Sequence, residues 1–182
     1  AILPSEADHL LYAIQDSAAY RYLSDALNQR INHTDGDIQV MFRYIRACVR
    51  SLNKDYAGSN SDLGLLIQNE QDYDHSALEM RAYNYMQIEQ YKSALTDYSR
   101  LIALSPRNTR AYYGRSLAYR GLGQIDEAVS DLISLTRLDY NEAPNAFYQA
   151  ARLEVEREHY TQAIRYLSRA IELAPEMTYL YR

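Results

Sequence analysis

Three short stretches decide the fold: Tyr91-Lys92-Ser93-Ala94, Ile125-Asp126-Glu127-Ala128 and Tyr160-Thr161-Gln162-Ala163. Their alanines stand 34 and 35 residues apart. Four residues after each alanine comes Tyr98, Leu132 or Leu167, and seven after come Leu101, Leu135 and Ala170. That spacing keeps the apolar residues on one face of a helix. The runs end at Ser105-Pro106, Asp139-Tyr140 and Ala174-Pro175, and proline cannot continue a preceding helix. A second amphipathic run precedes each stretch. It carries a small residue twelve positions before the alanine (Ala82, Ser116, Ala151) and, in two cases, a tyrosine three further on (Tyr85, Tyr119). A period of this length marks an array whose units bury their apolar faces only by stacking.

The pattern closely resembles the tetratricopeptide repeat, a helix-turn-helix of 34 residues. Family positions 4, 8, 11, 20, 24, 27 and 32 read Leu78, Ala82, Tyr85, Ala94, Tyr98, Leu101 and Pro106 in a unit spanning 75–108. They read Tyr112, Ser116, Tyr119, Ala128, Leu132, Leu135 and Tyr140 in 109–143, and Phe147, Ala151, Glu154, Ala163, Leu167, Ala170 and Pro175 in 144–177. The departures are Tyr140 in place of proline, Glu154 in place of an aromatic, and one residue inserted near Asn141–Ala143. The resemblance implies an all-α fold, a right-handed superhelical α-solenoid of antiparallel helix pairs. Residues 178–182 would begin a further unit or form a truncated end.

The first 74 residues are read as a divergent helical, repeat-like region. Leu3, Ala7, Leu10, Ala19, Leu23 and Ala26 fit family positions 4, 8, 11, 20, 24 and 27, and an unrelated helical cap is the alternative. A helix is expected over Asp37–Leu52, with Ile38, Met41, Ile45, Cys48, Val49 and Leu52 on one face. Lys54-Asp55-Tyr56-Ala57-Gly58-Ser59-Asn60-Ser61-Asp62 reads as a linker because it is rich in turn formers. A shorter helix is expected near Asp62–Gln68.

Composition narrows the function. The chain of 182 residues is 47% apolar and 24% charged, with a formal net charge of −5. An acidic balance argues against a nucleic-acid surface, and no apolar run is long enough for a membrane span. One cysteine excludes an internal disulfide framework. No basic and apolar leader opens the chain, so the compartment stays open. Aromatic and basic usage is skewed: 19 Tyr against 2 Phe and no Trp, and 17 Arg against only Lys54 and Lys92. Tyrosine and arginine are enriched at protein interfaces.

Chemistry-bearing constellations are few. His9, His33, His75 and His159 fall at no metal-ligand spacing, so neither a metal nor a cofactor is expected. Gly121-Leu122-Gly123 lacks the third glycine and preceding strand of a phosphate loop and reads as the turn inside a repeat. Cys48 reads as core, and Glu154, Glu156 and Glu158 as a solvated face. The chain is therefore not expected to be an enzyme.

What remains is a binding surface implied by the resemblance. In this family the first helix of each repeat lines a concave groove through positions 2, 5, 9 and 12. Carried over, these are Ser76, Glu79, Tyr83 and Met86; Arg110, Tyr113, Leu117 and Arg120; and Asn145, Tyr148, Arg152 and Val155. Tyrosine contributes broad contact with a polar tip and arginine a planar fork for carboxylates. The family's carboxylate clamp for chaperone tails needs Lys, Asn, Asn, Lys and Arg at positions held here by Glu79, Tyr83, Gly114, Asn145 and Gln149, so that ligand is disfavoured. The leading expectation is a protein-interaction scaffold that binds a peptide or protein segment. The alternative is a self-assembling structural subunit, a homo-oligomer or filament joined end to end through Tyr179, Leu180 and Tyr181.

Overall fold

The structure is a computed structural model that describes residues 17–67 and 74–175. Among the described residues there are nine α-helices and no strand: α1 Ser17–Asn32, α2 Gly36–Leu52, α3 Tyr56–Ile67, α4 Asp74–Gln87, α5 Tyr91–Leu104, α6 Thr109–Gly121, α7 Ile125–Leu138, α8 Ala143–Glu156 and α9 Tyr160–Leu173. The chain divides into two compact units, residues 1–88 and 89–182. Within each unit every helix packs on its neighbours in sequence.

Small residues set the approach of the helices in the second unit. Ala111, Ala118, Ala128, Ala150, Ala151, Ala163 and Ala170 are almost wholly buried, as is Ser116. With no long side chain in the way, backbones draw together and larger groups fill the flanks. Ala128, Val129 and Leu132 of α7 meet Ala150 and Leu153 of α8, with Tyr119, Ile125, Ile133 and Tyr166 packed around them. Phe147 and Tyr166 stack with ring centres 6.1 Å apart. Two glycines make room for tyrosine rings. A Cβ on Gly114 would come within 2.3 Å of Tyr98, and one on Gly121 within 2.6 Å of Tyr91. The tyrosine excess is thus partly core packing.

Arginine also works inside the fold. Arg115 of α6 donates from Nε and Nη2 to both oxygens of Asp131 on α7, each at 2.7 Å, and from Nη1 to Ser99. Its guanidinium also lies over the rings of Tyr112 and Tyr119, 5.7 and 5.8 Å from their centres. Asp131 is only 4% exposed, and its fork raises the arginine's pKa, with burial opposing. In the first unit Arg46 of α2 forks onto buried Asp62 of α3 in the same way and also reaches Asn28. Both pairs are sixteen residues apart, and the sequence repeats that spacing at Arg81 and Asp97. A paired carboxylate tolerates burial because its lone pairs are met by a planar donor set, which lysine cannot supply.

The turn within each helix pair recurs as well. Lys54, Glu89, Gly123 and Glu158 all have positive φ (64°, 56°, 73° and 61°), at intervals of 35, 34 and 35 residues. Gly121-Leu122-Gly123 is therefore the turn read from the sequence, closing α6 and leading into α7. Tyr140 and the inserted residue are accommodated in a turn where Asp139 Oδ1 accepts from Asn141 N at 2.9 Å. Pro144 then opens the first turn of α8, where a missing N–H is harmless.

The first unit departs from the sequence reading in three places. The expected linker is mostly helix: Asp55 Oδ1 accepts from Gly58 N at 2.9 Å and caps α3, which starts at Tyr56. The turn formers at Ser59 and Asn60 are used in side-chain bonds instead. Ser59 Oγ donates to Ala47 O, and Asn84, wholly buried, donates to Ser59 Oγ and Asn60 Oδ1 while accepting from Ser51 Oγ. Second, the apolar face expected on α2 is not core. Val49 is buried, but Ile38, Met41, Ile45 and Leu52 are 38–55% exposed and Cys48 is half-buried. Ala47 and Val49 face the packed side, with Val49 against Leu27, Tyr20, Leu23 and Phe42. Third, α1 buries Leu27 and Ile31 most deeply rather than Ala19, Leu23 and Ala26. Leu3, Ala7 and Leu10 lie outside the described residues.

Removing one side of a fork leaves a buried charge unmet. Arg115→Ala should cost about 3 kcal/mol in urea unfolding, and Arg115→Lys less. Glu158→Gly, which relieves a left-handed backbone, should stabilise by about 1 kcal/mol and raise Tm. No loss in Arg115→Ala would contradict the first expectation, and a lowered Tm the second.

Candidate binding face

In the second unit the expected groove residues form two continuous stripes. Arg110, Tyr113, Leu117 and Arg120 follow one another at spacings of 3, 4 and 3 along α6, and all four are exposed. Asn145, Tyr148, Arg152 and Val155 repeat those spacings on α8, and only Tyr148 is half-buried. The core explains why these stripes stay outside. Ala111, Gly114 and Ala118 take the opposite side of α6 inward, and Ala146, Ala150 and Leu153 do so on α8. Tyr113, Leu117 and Val155 are 37%, 38% and 47% exposed, so apolar surface is available between the cations.

Arg120 and Arg152 of these stripes each make a side-chain contact. Arg120 Nη2 donates to Glu156 Oε1 at 2.5 Å, linking the last turns of α6 and α8. Arg152 Nη1 lies 3.5 Å from Gln149 Oε1. Such exposed bonds exchange readily with a ligand carboxylate because surface ion pairs contribute little.

The acidic run at the end of α8 is not the uniform solvated face that the sequence suggests. Glu154 is buried, and its Oε2 lies 2.9 Å from His159 Nδ1 at the start of α9. Glu156 holds Arg120, and Glu158 occupies the left-handed turn. Arg157 pairs with Asp126, lowering the carboxylate pKa and raising that of the guanidinium. Among the described residues no group of three or more His, Cys, Asp or Glu is placed to hold a metal ion. No helix among them is long and apolar enough to cross a membrane.

In the first unit three of the four remaining expected groove residues, but not Met86, line a cleft of about 470 Å³. It is lined by Tyr44, Cys48, Ser51 and Leu52 of α2 and by Ser76, Glu79, Met80 and Tyr83 of α4. Ser76, Glu79 and Tyr83 were expected on the groove face from the resemblance. The α2 side was missed, although a period of 35 residues carries Tyr44 onto Glu79 and Cys48 onto Tyr83. The small residues Ala47 and Ser59, twelve apart, were the available signal. Tyr44 hydrogen-bonds Ser76 and Cys48, and burial raises its pKa, with Cys48 adding to the effect. Burial also pushes the Cys48 thiol up, against the opposing bond from Tyr44. Tyr179, Leu180 and Tyr181 lie outside the described residues.

Comparisons with known proteins agree with this architecture. Two family models, each described as a tetratricopeptide repeat, match residues 79–142 and 144–177. The chain belongs to the tetratricopeptide repeat family, and its fold is an all-α solenoid of such repeats. A DnaJ homolog subfamily C member 7 homolog from Dictyostelium discoideum is 28% identical over 102 residues, which is 54% of this chain and 19% of that protein. The chain thus spans about a fifth of that relative. A crystal structure of MamA has a TM-score of 0.75 at 15% identity, covering 98% of both chains. The first repeat domain of Spaghetti (RPAP3), bound to the HSP90 peptide SRMEEVD, has a TM-score of 0.59 at 18% identity over 65% of this chain and 93% of that one.

The raised thiol pKa has a direct consequence. The thiolate is the form that reacts, so iodoacetamide at pH 8 should label Cys48 more slowly in the folded chain than in urea. Equal rates would show that the thiol is neither sheltered nor shifted.

Proposed function

We propose that the chain is a non-catalytic scaffold that binds a peptide or protein segment on the groove faces of its first-of-pair helices. The observation that carries this reading is the pair of stripes on α6 and α8, where Tyr113, Leu117, Tyr148 and Val155 alternate with Arg110, Arg120 and Arg152. Aromatic and aliphatic surface would seat apolar anchors, and the arginines would orient them through acidic groups or backbone carbonyls. A repeat domain of related fold holds a peptide in its solved structure, which supports this class of ligand. That peptide is not carried over, because Glu79 and Tyr83 replace a lysine and an asparagine of the chaperone-tail clamp.

The α2–α3 pair is part of the same reading, as a divergent repeat. Arg46 with Asp62, Ala47 with Ser59, and the left-handed Lys54 support it, each at the spacing found in α6–α7. The binding face then includes the cleft side of α2 as well as α4.

Peptides selected from a random display library should bind the full chain. Combined Arg110→Ala, Arg120→Ala and Arg152→Ala should weaken them at least tenfold, about 1.4 kcal/mol, with unchanged helical circular dichroism. Unaltered affinity would remove the arginine stripes from the binding surface. The alternative, assembly through chain ends, predicts a mass by light scattering that rises with concentration.

A further inference from the structure

The arginine–carboxylate pairs of this chain are of two kinds. Arg115 and Arg46 fork onto carboxylates that are almost wholly buried. Arg120 instead meets Glu156 through one contact, Nη2 to Oε1 at 2.5 Å, and the two side chains are 42% and 43% exposed. A pair of that kind contributes little to stability. Its carboxylate also stands at the end of α8, where the helix dipole disfavours a negative charge. Nor does the repeat call for a carboxylate there. The equivalent positions, 35 and 69 residues earlier, hold Gly121 and Gln87.

The surroundings of the pair are those of a binding face. Leu117 lies one turn before Arg120 on α6, Val155 adjoins Glu156 on α8, and both are exposed. Arg152 stands four residues before Glu156, one turn away on the same helix, and is exposed as well. A carboxylate thus sits on a stripe arginine, with a second arginine one turn away and apolar surface beside it.

We propose that Arg120 is a subsite for a carboxylate of the partner segment, and that Glu156 is its internal occupant, displaced when the partner binds. The proposal rests on the groove-binding reading and deepens it. Of the groups an arginine can orient, it names the carboxylate, and it makes Glu156 a competitor that lowers affinity. The planar guanidinium can take both oxygens of an incoming carboxylate, where Glu156 supplies one. The displaced Glu156 returns to water, which costs little at an exposed position. A carboxamide offers only a neutral oxygen, and neutral hydrogen bonds are about half as strong as charge-assisted ones. It would not displace Glu156.

The probes are peptides selected from the display library on the full chain, labelled with fluorescein and titrated by anisotropy. Each acidic residue is replaced in turn by its amide, which identifies the one on which binding most depends. Glu156→Gln should strengthen the parent peptide about threefold and leave the peptide carrying that one amide unchanged. In an Arg120→Ala background, Glu156→Gln should have no effect. Helical circular dichroism and the urea midpoint should be unaltered in both single variants.

The proposal is overturned if binding depends on no acidic residue of the selected peptides, or if Glu156→Gln leaves their affinity unchanged or lowers it. It is also overturned if the gain persists with Arg120→Ala, which would show general repulsion by Glu156 rather than occupancy of Arg120. The triple arginine variant separates this claim from the wider reading. If that variant weakens the peptides while Glu156→Gln does nothing, the groove reading stands and the competitor falls. If it binds them unchanged, or if no peptide is selected at all, the groove reading itself fails.

Discussion

The close approach of helices at small residues governs the rest of this structure. Small buried residues stand on α6 and α7 at Ser116 and Ala128, and the Ser59 hydroxyl reaches the Ala47 carbonyl between α3 and α2, so longer groups can bridge each pair at the flanks. Arg115 can then reach both oxygens of Asp131, and Arg46 those of Asp62. Tyr98 and Tyr91 fold onto Gly114 and Gly121 for the same reason. A larger residue at any of these points would separate the helices and undo the ion pairs with them. Overpacking of this kind costs about 1–3 kcal/mol.

That arrangement divides the chain's unusual arginine and tyrosine content between two tasks. Arg115 and Arg46 are structural pins, half-buried and doubly bonded to carboxylates. Arg110, Arg120 and Arg152 lie on exposed stripes. Tyr98 is buried, while Tyr113 and Tyr83 present their rings outward. The same residue types thus hold the scaffold and form the exposed stripes of α6 and α8, and helical register decides which place each one has.

Much of the second unit was legible in the sequence because its signals are local and repeated. Ala128 with Leu132 and Leu135, or Ala163 with Ala170, needs only the helical period to be read. The α6 and α8 stripes followed from register, once the resemblance had supplied the groove positions. The first unit was harder. Its Ser59 stands where the later units have alanine, and a hydroxyl among Gly58, Asn60 and Ser61 looks like a loop until its partners Ala47 and Asn84 are known. The apolar stripe of α2 misled for the opposite reason. Ile38, Met41 and Ile45 have core character but face outward, whereas Arg46 is drawn inward by Asp62, a partner sixteen residues away. Glu154 escaped notice in the same way, since its burial depends on His159 across a turn.

The central claim is that ligands engage the first helix of each pair and not the second. Backbone amide shifts of the isotope-labelled chain, recorded while a selected peptide is titrated in, test it most directly. The account predicts perturbations centred on Tyr113, Leu117, Tyr148 and Val155, with the exposed faces of α5, α7 and α9 unmoved. Shifts concentrated on Thr96, Ser130 and Ile164 of those second helices would contradict it.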